Sequence, residues 1–147
     1  MRAIAIRYGL LLCASLIAFF LLMHFFGLSQ NYNLRILNSL LHVSFLYLAI
    51  SRYAQRYPDS IDNYLSGVGV GMWAGGVGVA AFAFFMTVFL LVQPDFMKML
   101  QTQTPMGQYL TPFTAGAAIL MEGLSVNIVA SYIIVRIVQS SKVRQSR

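Results

Sequence analysis

An all-α membrane protein, built as an antiparallel bundle of four transmembrane helices, is what this sequence predicts, and three observations predict it. Of the 147 residues, 59% are hydrophobic and only 10% are charged, against about 25% charged in an ordinary soluble domain. A chain so composed lacks the polar material to cover itself against water. Its apolar residues fall into four runs, about 4–26, 34–50, 64–92 and 113–138, close to the roughly 20 helical residues that cross a bilayer core. The basic residues stand at the ends of those runs rather than on one patch, so the net charge of +6 reads as membrane topology and not as a nucleic-acid signature.

The elements follow in order, within a single domain over residues 1–147. Arg2 and Arg7 would suit the basic region of a signal peptide, but the apolar stretch after them is long and no small-x-small cleavage site ends it. Leu12 before Cys13 is too large for a lipoprotein site, so the first helix is retained. Cys13 is the sole cysteine, which excludes an internal disulfide framework. The second run is short and needs flanking side chains that snorkel. In the turn RYAQRYPDSIDN, Asp59 and Ser60 are expected to cap the third helix. The loop QPDFMKMLQTQTPMGQYLTP between spans three and four holds a short interfacial helix begun by Pro94, with Phe96, Met99 and Leu100 on one side. Thr111 and Pro112 read as the cap and first residue of the fourth span.

Orientation follows from the cations. With the N-terminus inside, one side collects Arg2, Arg7, Arg52, Arg56, Arg136, Lys142, Arg144 and Arg147, and the other only Arg35 and Lys98. That asymmetry puts both termini in the cytoplasm. Tyr8, Tyr53, Tyr57 and Tyr64 mark the inner interface, Tyr32 and Tyr109 the outer one.

The third run opens with GVGVGMWAGGVGVAAFA. Gly76, Gly78 and Ala81 match a G-x-G-x-x-A phosphate loop formally, yet no strand precedes them and no acidic residue follows. Helical spacing explains them better. Gly67, Gly71, Gly75 and Gly78 share one face, with Ala74 and Ala81, and Gly69, Gly76, Ala80 and Ala83 share roughly the opposite one. Small residues every fourth position let helix backbones approach closely in lipid, so the third span is expected to pack on both sides.

One carboxyl is out of place. Glu122 lies nine residues into the fourth span, about 13 Å deep, and His42 eight residues into the second, about 12 Å deep. Arg35, Asn38 and His42 fall on one side of their helix; Glu122 and Ser125 share a face of theirs, from which Asn127 and Ser131 point away. A charge at the centre of a span costs roughly 2.5–3.5 kcal/mol, so such residues turn inward and find partners. An intramembrane polar pair of Glu122 with His42 or Asn38, flanked by Arg35 and Ser125, is expected. It serves either as a tie that fixes helix register or as a proton- or ligand-handling site.

No catalytic or metal constellation is present in the sequence, so an enzyme is not expected and no cofactor is predicted. A bis-histidine haem needs both histidines at one level, whereas His24 is near the outer end of the first span and His42 near mid-membrane. Contact with lipid or a quinone is compatible with the chain. The stretches YGLLLCASLIAFFLLMHFFGL, RYPDSIDNYLSGVGVGM and LLVQPDFM resemble an uncharacterised family of small four-span bacterial membrane proteins, chiefly from Bacteroidota, with a domain-of-unknown-function label. The resemblance implies a multi-pass protein of the bacterial cell inner membrane and no particular activity. The expected role is an accessory or structural subunit of a larger integral-membrane complex (respiratory, photosynthetic, secretion or transport type), packing through the Gly-rich third span. The alternative is a small oligomeric transporter or channel using Glu122 and His42. Expected partners are membrane lipids and other integral-membrane subunits or a second copy.

Overall fold

The computed structural model describes residues 2–27, 35–59, 61, 63–103 and 107–145. Among them every regular element is helical: α1 (Arg2–Phe25), α2 (Arg35–Arg56), α3 (Tyr64–Val92), a short α4 (Pro94–Gln103), one 3-10 turn (Gly107–Tyr109) and α5 (Pro112–Gln145). α1, α3 and the 112–141 part of α5 are each long and apolar enough to cross a membrane. α2 is not: Asn38, Ser39, His42, Ser44 and Ser51 interrupt its 22 residues, and arginines stand at both ends.

Local chemistry sets the helix limits. α1 stops at Gly27, whose φ of 67° only glycine adopts freely, and its N–H bonds back to the His24 carbonyl. α3 is capped by Asn63, whose side chain accepts from the Leu65 N–H at 3.2 Å, and not by Asp59; Ser60 lies outside the described residues. The reason is distance along the chain, because a cap must sit immediately before the first turn it serves. Thr111 caps α5 reciprocally with Thr114. Its Oγ1 accepts from the Thr114 N–H at 3.2 Å, while the Thr111 N–H donates to Thr114 Oγ1 at 2.8 Å.

α3 is the central helix and touches α1, α2 and α5. Its contact with α5 is a ladder. Gly67 faces Val135, Gly71 faces Ser131, Gly75 faces Asn127, Val79 faces Gly123, and Thr87 with Ala83 faces Gly116. Partner numbers fall as α3 numbers rise, so the two helices are antiparallel, and they meet along every fourth residue. The small residue changes sides midway: α3 supplies the glycine in the first half and α5 in the second. Against α1 the numbers rise together, Gly9 lying on Ala74 and Val77, Leu12 on Gly78, and Phe20 on Phe85 and Phe89. That pair is parallel. Of the second small-residue face, Gly76 and Ala80 turn outward whereas Ala83 is buried toward α5.

The two ends of the bundle differ. At one, Ala5, Tyr53, Ile61, Val68, Ile134 and Val135 form a shared cluster, pinned by Gln139 donating to the Ile61 carbonyl at 2.7 Å and Tyr64 to the Tyr132 carbonyl at 2.8 Å. At the other, α4 folds back on α3 and α5. Met97, not the expected Phe96–Met99–Leu100 side alone, is its buried centre, packed with Leu90 and Ala115, because α4 leans into the notch between the end of α3 and the start of α5. Phe96 joins Phe20, His24 and Phe89 in an aromatic group. Tyr32 lies outside the described residues.

Several hydroxyls answer their own helix four residues back: Ser44 to Leu40, Thr87 to Ala83, Ser125 to Met121, Ser140 to Arg136 and Ser141 to Ile137. The outside of the bundle is strongly apolar, with Leu22, Leu40, Leu65, Phe84, Met121 and Val129 all exposed.

Adjacent glycines give a direct test of the ladder. A methyl at Gly75 would overlap the Asn127 amide, whereas one at Gly76 meets nothing within 4 Å. Gly75→Ala is expected to destabilise by about 1–3 kcal/mol through overpacking, and Gly76→Ala to be neutral or stabilising by up to about 1 kcal/mol. Thermal unfolding of both variants in detergent reads the difference, and equal behaviour would contradict the ladder.

Candidate functional site

Among the described residues, three polar side chains are buried in the core: His42 of α2 at 5% exposure, and Asn127 and Ser131 of α5 at 1% and 0%. They form a seam where α2 and α5 meet over the glycine face of α3. The seam exists because α3 yields room. Gly75 and Gly71 have no side chains, so Asn127 and Ser131 lie directly on the α3 backbone, with Ile50 of α2 also against Gly71. Asn127 uses that proximity to donate from Nδ2 to the Met72 carbonyl at 3.2 Å. Its other end faces the His42 side chain.

This contact is looser than a well-formed hydrogen bond. His42 Nε2 and Asn127 Oδ1 are both buried without a partner at bonding geometry, as are Asn38 Oδ1, Ser51 Oγ and Ser131 Oγ. An imidazole N–H and an amide oxygen are complementary. An unsatisfied buried polar group costs about 1–3 kcal/mol, and such groups call for a structural or chemical reason.

The expected site residues separate. His42 is in the core and Asn38 one turn away is half-buried. Glu122 and Ser125 are on the exposed side of α5, and Ser125 donates to the Met121 carbonyl at 2.8 Å. The Arg35 side chain lies outside the described residues. The core partner of His42 is therefore Asn127. Asn127 and Ser131 do point away from the face of Glu122 and Ser125, but theirs is the face that turns into the bundle toward His42. Five residues separate Glu122 from Asn127, about 140° around the helix and about 7.5 Å along it. The glycines at 116 and 123, in step with Asn127 and Ser131, mark the packing face of α5.

The glycine face of α3 is at the heart of this arrangement. Gly67, Gly71, Gly75 and Gly78 are all buried, the first three under α5 and Gly78 under Leu12 and Gly9 of α1. His24, the second histidine, stacks on Phe20 and meets Phe89 and Phe96 edge-on at centroid distances of 5.2 Å, at the opposite end from the tyrosine cluster.

Chemically the seam can hold helices in register. Asn127→Ala strands the imidazole, and is expected to lower stability. A double-mutant cycle with His42→Leu should return a coupling on the order of 1 kcal/mol, within the range of hydrogen bonds between membrane helices. A coupling indistinguishable from zero would mean that the two side chains do not interact.

The chain matches no protein-family model, no curated protein and no solved structure, and its site is read from its own geometry.

Proposed function

We propose that the chain is a four-span protein of the bacterial inner membrane, with both termini cytoplasmic, acting as an accessory or structural subunit of a larger integral-membrane complex. α2 is taken as the remaining span because it is inside out. Ile36, Leu37, Leu40, Tyr47 and Leu48 are exposed while His42 is buried. A helix in water turns the other way, whereas lipid drives polar groups inward. The ends support the orientation. The starts of α1 and α3 and the ends of α2 and α5 gather at the tyrosine cluster, and among the described side chains that end carries Arg2, Arg7, Arg52, Arg56 and Arg136 against Asp59. The short α4 at the opposite end is then an outer, interfacial helix.

The observation that carries the subunit reading is the outer face of α3. Its inner glycines are used within the bundle, yet Gly76 and Ala80 floor a shallow apolar groove walled by Met72, Trp73 and Val77. A groove of small residues fits a transmembrane helix of a partner subunit, by the same close approach that α5 makes on the other side. The seam argues in the same direction, since Asn127 and Ser131 lie against glycine backbone and are spent on holding helices together. The alternative of a small oligomeric transporter draws on the incompletely paired His42 and Asn127; it requires that His42→Gln abolish a flux while leaving assembly intact.

Two measurements test this reading. With Cys13 replaced by alanine, a cysteine at Asp59 should resist an impermeant thiol reagent applied to intact spheroplasts, and one at Gln103 should react; the reverse pattern overturns the topology. Gly76→Leu adds bulk where the fold has space, so it should leave the chain folded and strip a stoichiometric partner from it after gentle extraction. A parent protein that extracts with no companion contradicts the subunit role.

A further inference from the structure

The basic end of α5 carries a second surface that the subunit reading does not use. Arg136, Ile137, Ser140 and Ser141 line an open cleft there. Val129, Ile133 and Ile137 lead up to it and are 60%, 55% and 50% exposed. Residues 129, 133, 136, 137, 140 and 141 recur at helical spacing, so they form one continuous face of α5. That face is apolar along the membrane and turns cationic and hydroxylic where the helix leaves it. We infer that it is a seat for one anionic phospholipid, an acyl chain lying along Val129, Ile133 and Ile137 and the phosphodiester on Arg136. The inference rests on the four-span reading above.

The chemistry assigns each role. A guanidinium offers a planar fork of donors matched to phosphate oxygens, which an ammonium does not. The hydroxyls of Ser140 and Ser141 donate to the Arg136 and Ile137 carbonyls at 2.8 and 3.0 Å, so they shape the polar floor and leave the phosphate to arginine. Charge complementarity selects an acidic headgroup over a zwitterionic one. Among the described side chains, Arg2, Arg7, Arg52, Arg56 and Arg136 gather at this end against Asp59, whereas Lys98 at the other end is beside Asp95. An anionic leaflet attracts such an end, and the cleft gives that attraction a fixed address.

The full chain, purified in neutral detergent, is titrated with phosphatidylglycerol or phosphatidylcholine and its bound lipids are counted by native mass spectrometry. Phosphatidylglycerol should be retained in preference, and Arg136→Gln should weaken its binding about fivefold, the effect of one arginine near an anionic surface. Arg56→Gln removes the same charge from the same end outside the cleft and should leave retention near the parent level. Equal retention of the two lipids, or equal loss in the two variants, overturns the site in favour of a diffuse field. Displacement by inorganic phosphate would identify a soluble anion instead and overturn the lipid. A chain that stays monodisperse without detergent overturns the membrane reading along with it.

Discussion

The close approach of α3 to α5 is the contact on which the rest of the molecule depends. Six of the 29 residues of α3 are glycine, and in water each would weaken a helix by about 1 kcal/mol relative to alanine. Lipid removes that weakness, because an unfolded backbone there would leave its N–H and C=O groups without partners. What remains is the benefit. With no Cβ between them, two helices meet at backbone distance, and dispersion and polar contacts act over the whole length of the ladder. α1 and α2 then pack on a pair that is already fixed, and the room over Gly71 and Gly75 decides where the polar seam can be.

The seam shows how lipid changes the weighting of polar groups. In a soluble core, His42, Asn127 and Ser131 would compete with water for their hydrogen bonds. In hydrocarbon the alternative to an imperfect partner is none, so even a loose imidazole–amide contact holds α2 to α5. On the proposed four-span reading, the same reasoning explains why α2 turns its apolar residues outward. Asn38 and His42 cannot face lipid cheaply, while Ile36, Leu40 and Leu48 can.

Much of this was legible in the sequence, and the failures have definite causes. Composition gave the helical class, and i, i+4 glycines located the inner face of α3, because a missing side chain is a statement about what must come close. Thr111–Pro112 marked a helix start through chemistry that is local. Glu122 misled because a carboxyl in an apolar run was taken for the inward residue, whereas Asn127, five residues on and about 140° around the helix, is the buried one. Asn63 was passed over for Asp59, which lies four residues too early to serve the first turn of α3. The buried role of Met97 depends on how α4 folds back, which no local pattern encodes.

α5 is 34 residues long, about 51 Å, well beyond the roughly 30 Å of a hydrocarbon core. Where such a helix meets water is ordinarily dictated by its first polar side chains. Here the serines near its end give no such instruction, because Ser140 and Ser141 have already closed their hydroxyls onto the carbonyls behind them. Masked in this way they are nearly as welcome in hydrocarbon as in headgroups. The bundle can therefore ride higher or lower in bilayers of different thickness with little penalty from this segment, and the long reach of Arg136 absorbs the difference.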